Sequence, residues 1–227
     1  MWSWLSVALS GFISISANES NQNKQAVVFK TLSLGMLVVM LWSQNSLVGL
    51  SAWWVTLGLL ISMLADGLYI YKRQQKLCFA AFVGAQLCYS TSFWLQLSGE
   101  IVWWLPAMLL AIGVVVFFLM LPKIDRLIFP VVIMGMMLLQ LNWAAGEVWL
   151  LTGTMESVLG FLGTLTLTLS AGLLAVHDYK HPIRYGRYLI SGSYLLAHSL
   201  ITASLICLLY TSPSPRDNPA SRMPSSA

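Results

Sequence analysis

The chain has 227 residues, of which 58% are hydrophobic and only 9% are charged, and its mean hydropathy is +0.76. A soluble domain usually carries about 25% charged residues, so this composition excludes an ordinary soluble protein and predicts a polytopic membrane protein. The net charge is +4, but aromatic residues are not interleaved with the basic ones, so nothing supports nucleic-acid binding and we expect none.

Eight apolar segments follow one another along the chain, separated by short polar loops. We predict membrane spans at residues 2–17, 27–42, 52–71, 77–97, 101–121, 127–149, 155–176 and 188–206. Segments of about 20 residues can cross a bilayer core as helices, and helix is required because lipid cannot satisfy unpaired backbone groups. The predicted fold class is therefore all-α: a bundle of eight transmembrane helices that forms one domain over residues 1–206.

Basic residues fall on alternate loops of this predicted bundle. Ten of the twelve Lys and Arg residues precede residue 207. Nine lie in the loops between spans one and two, three and four, five and six, and seven and eight, and the tenth, Lys30, lies at the start of span two, next to the first of these loops. The positive-inside rule makes these loops cytoplasmic. We therefore expect an integral protein, in a bacterial inner membrane, with both termini outside the cytoplasm.

The last 21 residues, 207–227, differ from the rest because they are polar and rich in Pro and Ser. They resemble the translated read-through of a sequencing adapter, and we predict that they are a non-native tail. The natural C-terminus is then expected near Ile206, and the tail is excluded from the predicted domain.

Asp66 is an acidic residue inside an otherwise apolar segment, ISMLADGLYIY, which runs from Ile61 to Tyr71. A carboxylate at membrane depth costs several kcal/mol unless it faces a protein interior and finds partners. Asp66 precedes Lys72 by six residues, so we place it about 9 Å below the cytoplasmic boundary. The pattern predicts a functional site around this residue.

Other polar residues are predicted at a similar depth and could surround Asp66. They are Lys30, Gln86, Tyr89, Ser170 and His198, and Asn142 adds a polar group on span six. Structural alternatives remain open for each. Lys30 could reach the headgroups or form a structural ion pair with Asp66, and Gln86 and Ser170 could simply bond helices together.

Glu147 is the second candidate acid of the membrane region. It lies about twenty residues into span six, which runs outward, so its expected depth does not match that of Asp66. If both acids serve one site, either a deep cavity joins the two carboxyl groups or the predicted bounds of span six are wrong. The alternative is that Glu147 is a solvated residue at the outer interface. The sequence shows no fixed metal-ligand pattern and no phosphate-binding or dinucleotide motif, and we expect neither a metal nor a cofactor.

Six short motifs, in order, resemble the YhhN family of eight-span membrane proteins, which includes lysoplasmalogenases. They are FKTLSL (Phe29 to Leu34), SMLADGL (Ser62 to Leu68), FVGAQLCYSTSF (Phe82 to Phe93), AAGEVW (Ala144 to Trp149), GTLTLTLS (Gly163 to Ser170) and YLLAHSLI (Tyr194 to Ile201). The chain departs from the common family pattern at three positions. Relatives often carry Pro at Thr31, His at Gln86, and Asp or Asn at Ala171.

The resemblance implies hydrolysis of the vinyl ether bond of a lysoplasmalogen, which is a lysophospholipid. The expected partners are therefore this lipid substrate and the lipid bilayer around the protein. With the intramembrane polar residues, the resemblance gives the predicted catalytic residues Asp66, Glu147, Lys30 and His198. The predicted substrate-binding residues are Gln86, Tyr89, Ser170 and Asn142. Two other functions stay open. Asp66 could bind the proton or ion of a coupled transporter, or the protein could bind lipid without catalysis. The oligomeric state is not predicted.

Overall fold

The computed structural model describes residues 2–20, 22–43, 49–69, 74–99, 101–120, 128–179 and 184–211. Over these residues the chain forms eight helices: α1 (Trp2–Glu19), α2 (Asn23–Trp42), α3 (Leu50–Tyr69), α4 (Gln75–Trp94), α5 (Trp104–Met120), α6 (Ile128–Thr152), α7 (Met155–Tyr179) and α8 (Gly186–Thr211). The all-helical fold class is confirmed within this part of the chain. Basic residues of the predicted cytoplasmic loops at positions 72, 73, 123, 126 and 180 lie outside it, as does most of the predicted tail.

Six of these helices are long and apolar enough to cross a membrane, namely α2, α3, α4, α6, α7 and α8. The apolar part of α5, Trp104–Phe118, is shorter than a usual span, and α1 carries five serines among its 18 residues. The protein is therefore an integral membrane protein with six helices of spanning character in the described residues. The predicted number of eight spans is not confirmed, because α1 and α5 are not among these six helices.

Helices that follow one another pack as antiparallel pairs, α1 with α2, α3 with α4, and α7 with α8. Glycines allow the closest of these approaches. A Cβ atom on Gly163 would lie 2.9 Å from Ile201 Cγ1 and 3.0 Å from Ile201 N, so α8 passes directly over this position of α7. Small residues at helix contacts are a common way to pack helices in lipid, where apolar burial supplies little driving force between them.

Helix α8 has a central place in the bundle because it contacts α1, α2 and α3 as well as α7. Its inward face carries the fully buried residues Ala197, His198, Ile201 and Thr202. Helix α4 packs on both α3 and α6, whereas α5 packs on α6. This arrangement brings polar side chains of α2, α3, α4 and α8 together inside one half of the bundle.

Candidate functional site

The carboxyl group of Asp66 lies near the end of α3 and is bonded from two other helices. The Lys30 Nζ atom, on α2, is 2.6 Å from Asp66 Oδ1. The Tyr194 hydroxyl group, on α8, donates to Asp66 Oδ2 over 3.0 Å. Each carboxylate oxygen therefore has a donor, as a charge in a protein interior requires. The ion pair between Lys30 and Asp66 was one of the structural alternatives left open by the sequence.

Lys30 is the more accessible member of this pair. Its side chain is 19% exposed, compared with 4% for Asp66. The ammonium nitrogen also lies 3.6 Å from the centroid of the Tyr194 ring, where the negative face of the ring attracts a cation. Lys30 thus contacts both the carboxylate and the aromatic ring from the open side of the site.

A second group of polar residues lies one helical turn deeper, around His198. The imidazole Nδ1 atom is 2.8 Å from the carbonyl oxygen of Tyr194, and Nε2 is 3.4 Å from Ser62 Oγ. Because a carbonyl can only accept, Nδ1 carries a proton, and in the neutral imidazole Nε2 accepts from Ser62. The Tyr89 hydroxyl lies 3.2 Å from Ser62 Oγ and completes a chain of hydrogen bonds from Tyr89 through Ser62 to His198.

Aromatic rings enclose this second group. The His198 ring lies between those of Tyr194, with centroids 4.2 Å apart, and Tyr89, with centroids 5.6 Å apart. The ring of Phe82 meets Tyr194 edge-on at 6.4 Å. The site is therefore a polar chain with apolar walls, in which hydrogen bonds and charges act more strongly than they do in water.

A mostly apolar, open groove of about 440 Å³ lies between α2 and α3. It is lined by Thr31, Met63, Leu64, Gly67, Leu68 and Gln74. Thr31 directly follows Lys30, and Gly67 directly follows Asp66. The volume falls in the range of small-molecule sites, about 300–1,000 Å³, so part of a lipid chain can enter this groove, although neither Lys30 nor Asp66 is among its lining residues.

Three predicted substrate-binding residues make hydrogen bonds between or within helices instead of contacting Asp66. The Gln86 amide group donates to Met134 Sδ over 3.0 Å, and Ser170 donates to the carbonyl oxygen of Ile190 over 3.0 Å. The Asn142 amide donates to the carbonyl of Leu138 and is 2.6 Å from Thr168 Oγ1. These contacts match the alternative of hydrogen bonds that hold helices together.

Glu147 is fully buried, at 0% exposure, and belongs to a different part of the protein. Both of its carboxyl oxygens lie 3.1 Å from the backbone nitrogen of Val102, in the connection between α4 and α5. Its Oε1 atom also accepts from the Trp143 indole over 2.8 Å. This burial argues against the alternative of a solvated residue at the interface, since protein groups take the place of water around this carboxyl group.

Helix register separates the two carboxyl groups along the membrane normal. The residue before Asp66, Ala65, accepts from Cys78 on α4, whereas Trp143, one turn before Glu147, meets Trp94 of α4 at 5.1 Å between centroids. The sixteen residues between Cys78 and Trp94 rise about 24 Å along α4. Asp66 and Glu147 thus lie at opposite ends of the bundle.

Comparison with known proteins agrees with this helical membrane architecture. The sequence profile of the YhhN family matches residues 25–205, most of the chain and all four helices that form the site. The chain belongs to the YhhN family. Proteins called uncharacterized membrane protein YhhN, from Escherichia coli O6:H1, Escherichia coli O157:H7 and Shigella flexneri, are each 28% identical over 206 residues, which is 90% of this chain and 99% of the relative. No solved structure matches the chain.

Two residues of the site in this YhhN protein were not predicted from the sequence: Tyr194 and Ser62. Both carried a usable signal, because each lies four residues before a predicted polar residue on the same helix, Tyr194 before His198 and Ser62 before Asp66. Residues four apart share a helix face. A hydroxyl group gives a weaker signal in an apolar segment than a charged side chain does, because its burial costs much less.

The described residues of this YhhN protein contain no group of three His, Cys, Asp or Glu side chains that could hold a metal ion. His181, in the polar loop before α8, lies outside those residues. The chemistry available at the described site is therefore that of a carboxyl group, an ammonium group, two phenols, a hydroxyl and an imidazole.

Proposed function

We propose that this YhhN family protein is a membrane-embedded hydrolase that cleaves the vinyl ether bond of lysoplasmalogens. The observation that carries the proposal is the carboxyl group of Asp66, which is buried in a membrane helix and bonded by Lys30 and Tyr194. An apolar groove is lined by Thr31 and Gly67, the residues that directly follow Lys30 and Asp66. The resemblance of the site motifs to those of lysoplasmalogenases supplies the substrate class. The relatives found by comparison carry no stated activity.

Hydrolysis of a vinyl ether begins with the transfer of a proton to its β-carbon. The electron pair of the carbon–carbon double bond takes the proton, and the neighbouring carbon and oxygen share the positive charge of an oxocarbenium ion. Water adds to this carbon and loses a proton, giving a hemiacetal that collapses to a fatty aldehyde and a glycerophospho-alcohol. The enzyme must therefore supply one acid and stabilise one cation.

Asp66 can fill both roles in turn. In its protonated form it gives the proton to carbon, and the carboxylate that remains stabilises the adjacent cation. In the state seen here the carboxylate is paired with Lys30 at 2.6 Å, so this ion pair must open before Asp66 can act as an acid. Tyr194 keeps its hydrogen bond to the other oxygen and holds the carboxyl group in place.

The hydrogen-bonded chain of Tyr89, Ser62 and His198 is the proposed place for the water molecule. Its imidazole already has a fixed orientation, because Nδ1 is bonded to the Tyr194 carbonyl oxygen. The Nε2 atom accepts from Ser62 over 3.4 Å in this state, and in the proposed complex a water molecule takes the place of Ser62 at Nε2, which orients the water and takes its proton. The role of His198 is therefore base and water-orienting group, while Asp66 is the acid.

The proposal includes the membrane topology. Eight spans, counting α1 and α5, would place all ten basic residues of 1–206 on the cytoplasmic side of a bacterial inner membrane, with both termini outside. Asp66 and Lys30 then lie in the cytoplasmic half. A lysolipid in the inner leaflet would reach them from the side, with its headgroup at the surface and its chain between α2 and α3.

The direct test uses purified protein in detergent and three lysolipids that share a headgroup and a chain length. One carries a vinyl ether, one a saturated alkyl ether and one an acyl ester. Mass spectrometry should detect fatty aldehyde from the vinyl ether, with the alkyl ether left intact and no fatty acid released from the ester. If folded protein releases no aldehyde but carries protons across liposome membranes, the transporter alternative replaces the hydrolase.

A further inference from the structure

We propose that Lys30 is a phosphate-binding residue, and that its transfer from Asp66 to the phosphate group of a lysolipid loads Asp66 with a proton. The inference rests on the proposed function for the identity of the lipid. It adds a subsite for the lipid headgroup to that function. It also makes catalysis depend on the headgroup, since Asp66 would become protonated only when a phosphate group has bound to Lys30.

The two members of the ion pair are unequally exposed, which decides which of them an incoming anion meets first. An anion that arrives from the membrane surface meets Lys30 first, because its side chain is 19% exposed and that of Asp66 only 4%. Lysine holds its charge on a long flexible stem with three donors, and it is a common partner of phosphate. The phosphodiester of a lysolipid is therefore the chemistry that this exposed cation fits.

The apolar groove between α2 and α3 is the proposed place for the lipid chain. Its lining residues Thr31 and Gly67 directly follow the two members of the ion pair. In the proposed complex the lipid chain lies in this groove and its phosphate is at Lys30, and the ether bond reaches Asp66 only after Lys30 has left the carboxylate. A single lysolipid can thus place phosphate on the lysine and the ether bond beside the carboxyl group.

The groups that face Asp66 decide its charge when Lys30 moves away. Helix α4 supplies Cys78, whose thiol donates to the carbonyl of Ala65 over 3.4 Å, and α8 supplies Tyr194, which donates to the carboxylate. One turn deeper lie Tyr89 and His198, both in contact with Ser62. Lys30 supplies the cation that touches the carboxylate. After it leaves, Tyr194 remains as a neutral donor, and an ionised carboxylate in this setting carries a large desolvation cost.

Protonation relieves that cost and balances the reaction. One proton from water reaches Asp66 as Lys30 binds the phosphate, so the net change on binding is the uptake of one proton for each lipid. Asp66 then gives this proton to the vinyl β-carbon. His198 releases the proton that it took from the attacking water to solvent. When the product leaves, Lys30 returns to the carboxylate, and the protein has its original charge.

The experiment measures binding without turnover. A saturated 1-O-alkyl lysophosphocholine is added to the purified, detergent-solubilised full chain in weak buffer containing a pH indicator. The wild type should take up about one proton per bound lipid, and infrared difference spectra should gain a protonated carboxyl band. In Asp66→Asn both signals should vanish while binding persists, because the amide cannot take up a proton.

Lys30 variants and two further ligands complete the test. Lys30→Met should bind the phospholipid at least about tenfold more weakly, and Lys30→Arg should retain binding and proton uptake. A phosphate-free 1-O-alkylglycerol should bind without proton uptake. Inorganic phosphate alone would also support the subsite if it caused uptake, and would identify it as a site for free anions.

Binding of the phospholipid to wild type without proton uptake would overturn the inference, as would equal affinity in folded Lys30→Met. If Lys30→Met fails to fold, the protonated-carboxyl band in the wild-type infrared spectrum still tests the inference, because its absence on lipid binding would overturn it. These outcomes are separate from those of the hydrolase test. Proton uptake without aldehyde release would support the phosphate subsite and refute the hydrolase activity. Aldehyde release without proton uptake would support the hydrolase activity and refute the phosphate subsite.

Discussion

Asp66 and Lys30 are bonded to each other across two helices, so removing either one leaves a charge in a partly buried place. Breaking a buried ion pair on one side usually destabilises a protein strongly, whereas replacing both members by neutral residues of similar size is often nearly neutral. This difference allows the catalytic and structural roles of Asp66 to be separated by experiment.

The first prediction concerns Asp66→Asn with and without Lys30→Met. The single variant should lower the free energy of unfolding by about 1–3 kcal/mol, because Lys30 loses its counter-charge. The double variant should recover most of this loss, as measured by thermal melting in detergent. Both variants should lose turnover by about 10²–10⁴-fold, the usual contribution of a general acid.

Recovery of aldehyde release in the double variant would contradict this prediction, because it would mean that Asp66 matters only as the partner of Lys30. Equal stability of all three proteins would instead show that the ion pair contributes little to folding. In that case the carboxyl group would be retained for function alone.

The second prediction concerns Glu147, whose carboxyl group holds the α4–α5 connection against α6 through Val102 and Trp143. Glu147→Leu leaves the buried donors without an acceptor and should cost about 2–4 kcal/mol of stability. Glu147→Gln keeps one acceptor and should cost less. Turnover per folded molecule should stay within about threefold of wild type in the glutamine variant, because the site is about 24 Å away along α4.

A folded Glu147→Gln protein with the wild-type melting temperature and no turnover would refute the structural role. Glu147 would then be a catalytic residue, as the resemblance to lysoplasmalogenases implies, and the proposed site at Asp66 would be incomplete.

The third prediction belongs to the contact between α3 and α4. A Cβ atom on Gly58 would lie 2.5 Å from Tyr89 Cε1, so Gly58→Ala must displace the ring whose hydroxyl is bonded to Ser62. We expect a loss of about 1–3 kcal/mol, as for other overpacked cores, together with reduced turnover. Gly172→Ala is the matched control, because nothing lies within 4 Å of its added methyl group.

Melting temperature and aldehyde release should fall together in Gly58→Ala and stay unchanged or rise slightly in the control. If the two variants behave alike, then α4 can shift to accommodate the methyl group, and Tyr89 is not held in place by this contact.

The helices were predicted well from the sequence, and the site only in part. Each predicted span corresponds to one helix because runs of apolar residues between polar loops leave few other possibilities in lipid. Asp66 was identified because the cost of a buried carboxylate is large and can be seen in a single residue. The partners of Asp66 depend on which helix faces meet, and α8 reaches this position through long-range packing that no local pattern encodes.

For Glu147, too, the depth could be predicted from the sequence but the contacts could not. Its position along α6 was estimated correctly as far from Asp66, because rise per residue is fixed in a helix. Its full burial was not predicted, since this depends on the backbone nitrogen of Val102, which lies 45 residues earlier in the chain. Depth can be read from sequence, but the groups that replace water around a side chain cannot.

At the scale of the whole molecule, the fourth prediction is the topology. The alternation of ten basic residues predicts that Gly99 and Gly153 face outward, and that Gln74 and Arg184 face the cytoplasm. Reporter enzymes that are active on one side of the membrane, fused after these positions, should give this pattern. One inverted pair would break the eight-span topology, and inversion at Gly153 and Arg184 alone would show that α5 does not cross the bilayer.

The proposed reaction depends on one chemical step, the transfer of a proton from solvent through Asp66 to the vinyl β-carbon. The measurement that tests it most directly is hydrolysis of a lysoplasmalogen in D₂O, with mass spectrometry of the aldehyde and the same aldehyde incubated alone as the control. Wild-type protein should release aldehyde with a single deuterium on the carbon next to the carbonyl group, and folded Asp66→Asn should release almost none. Aldehyde without deuterium at that carbon, or equal release from Asp66→Asn, would contradict this mechanism.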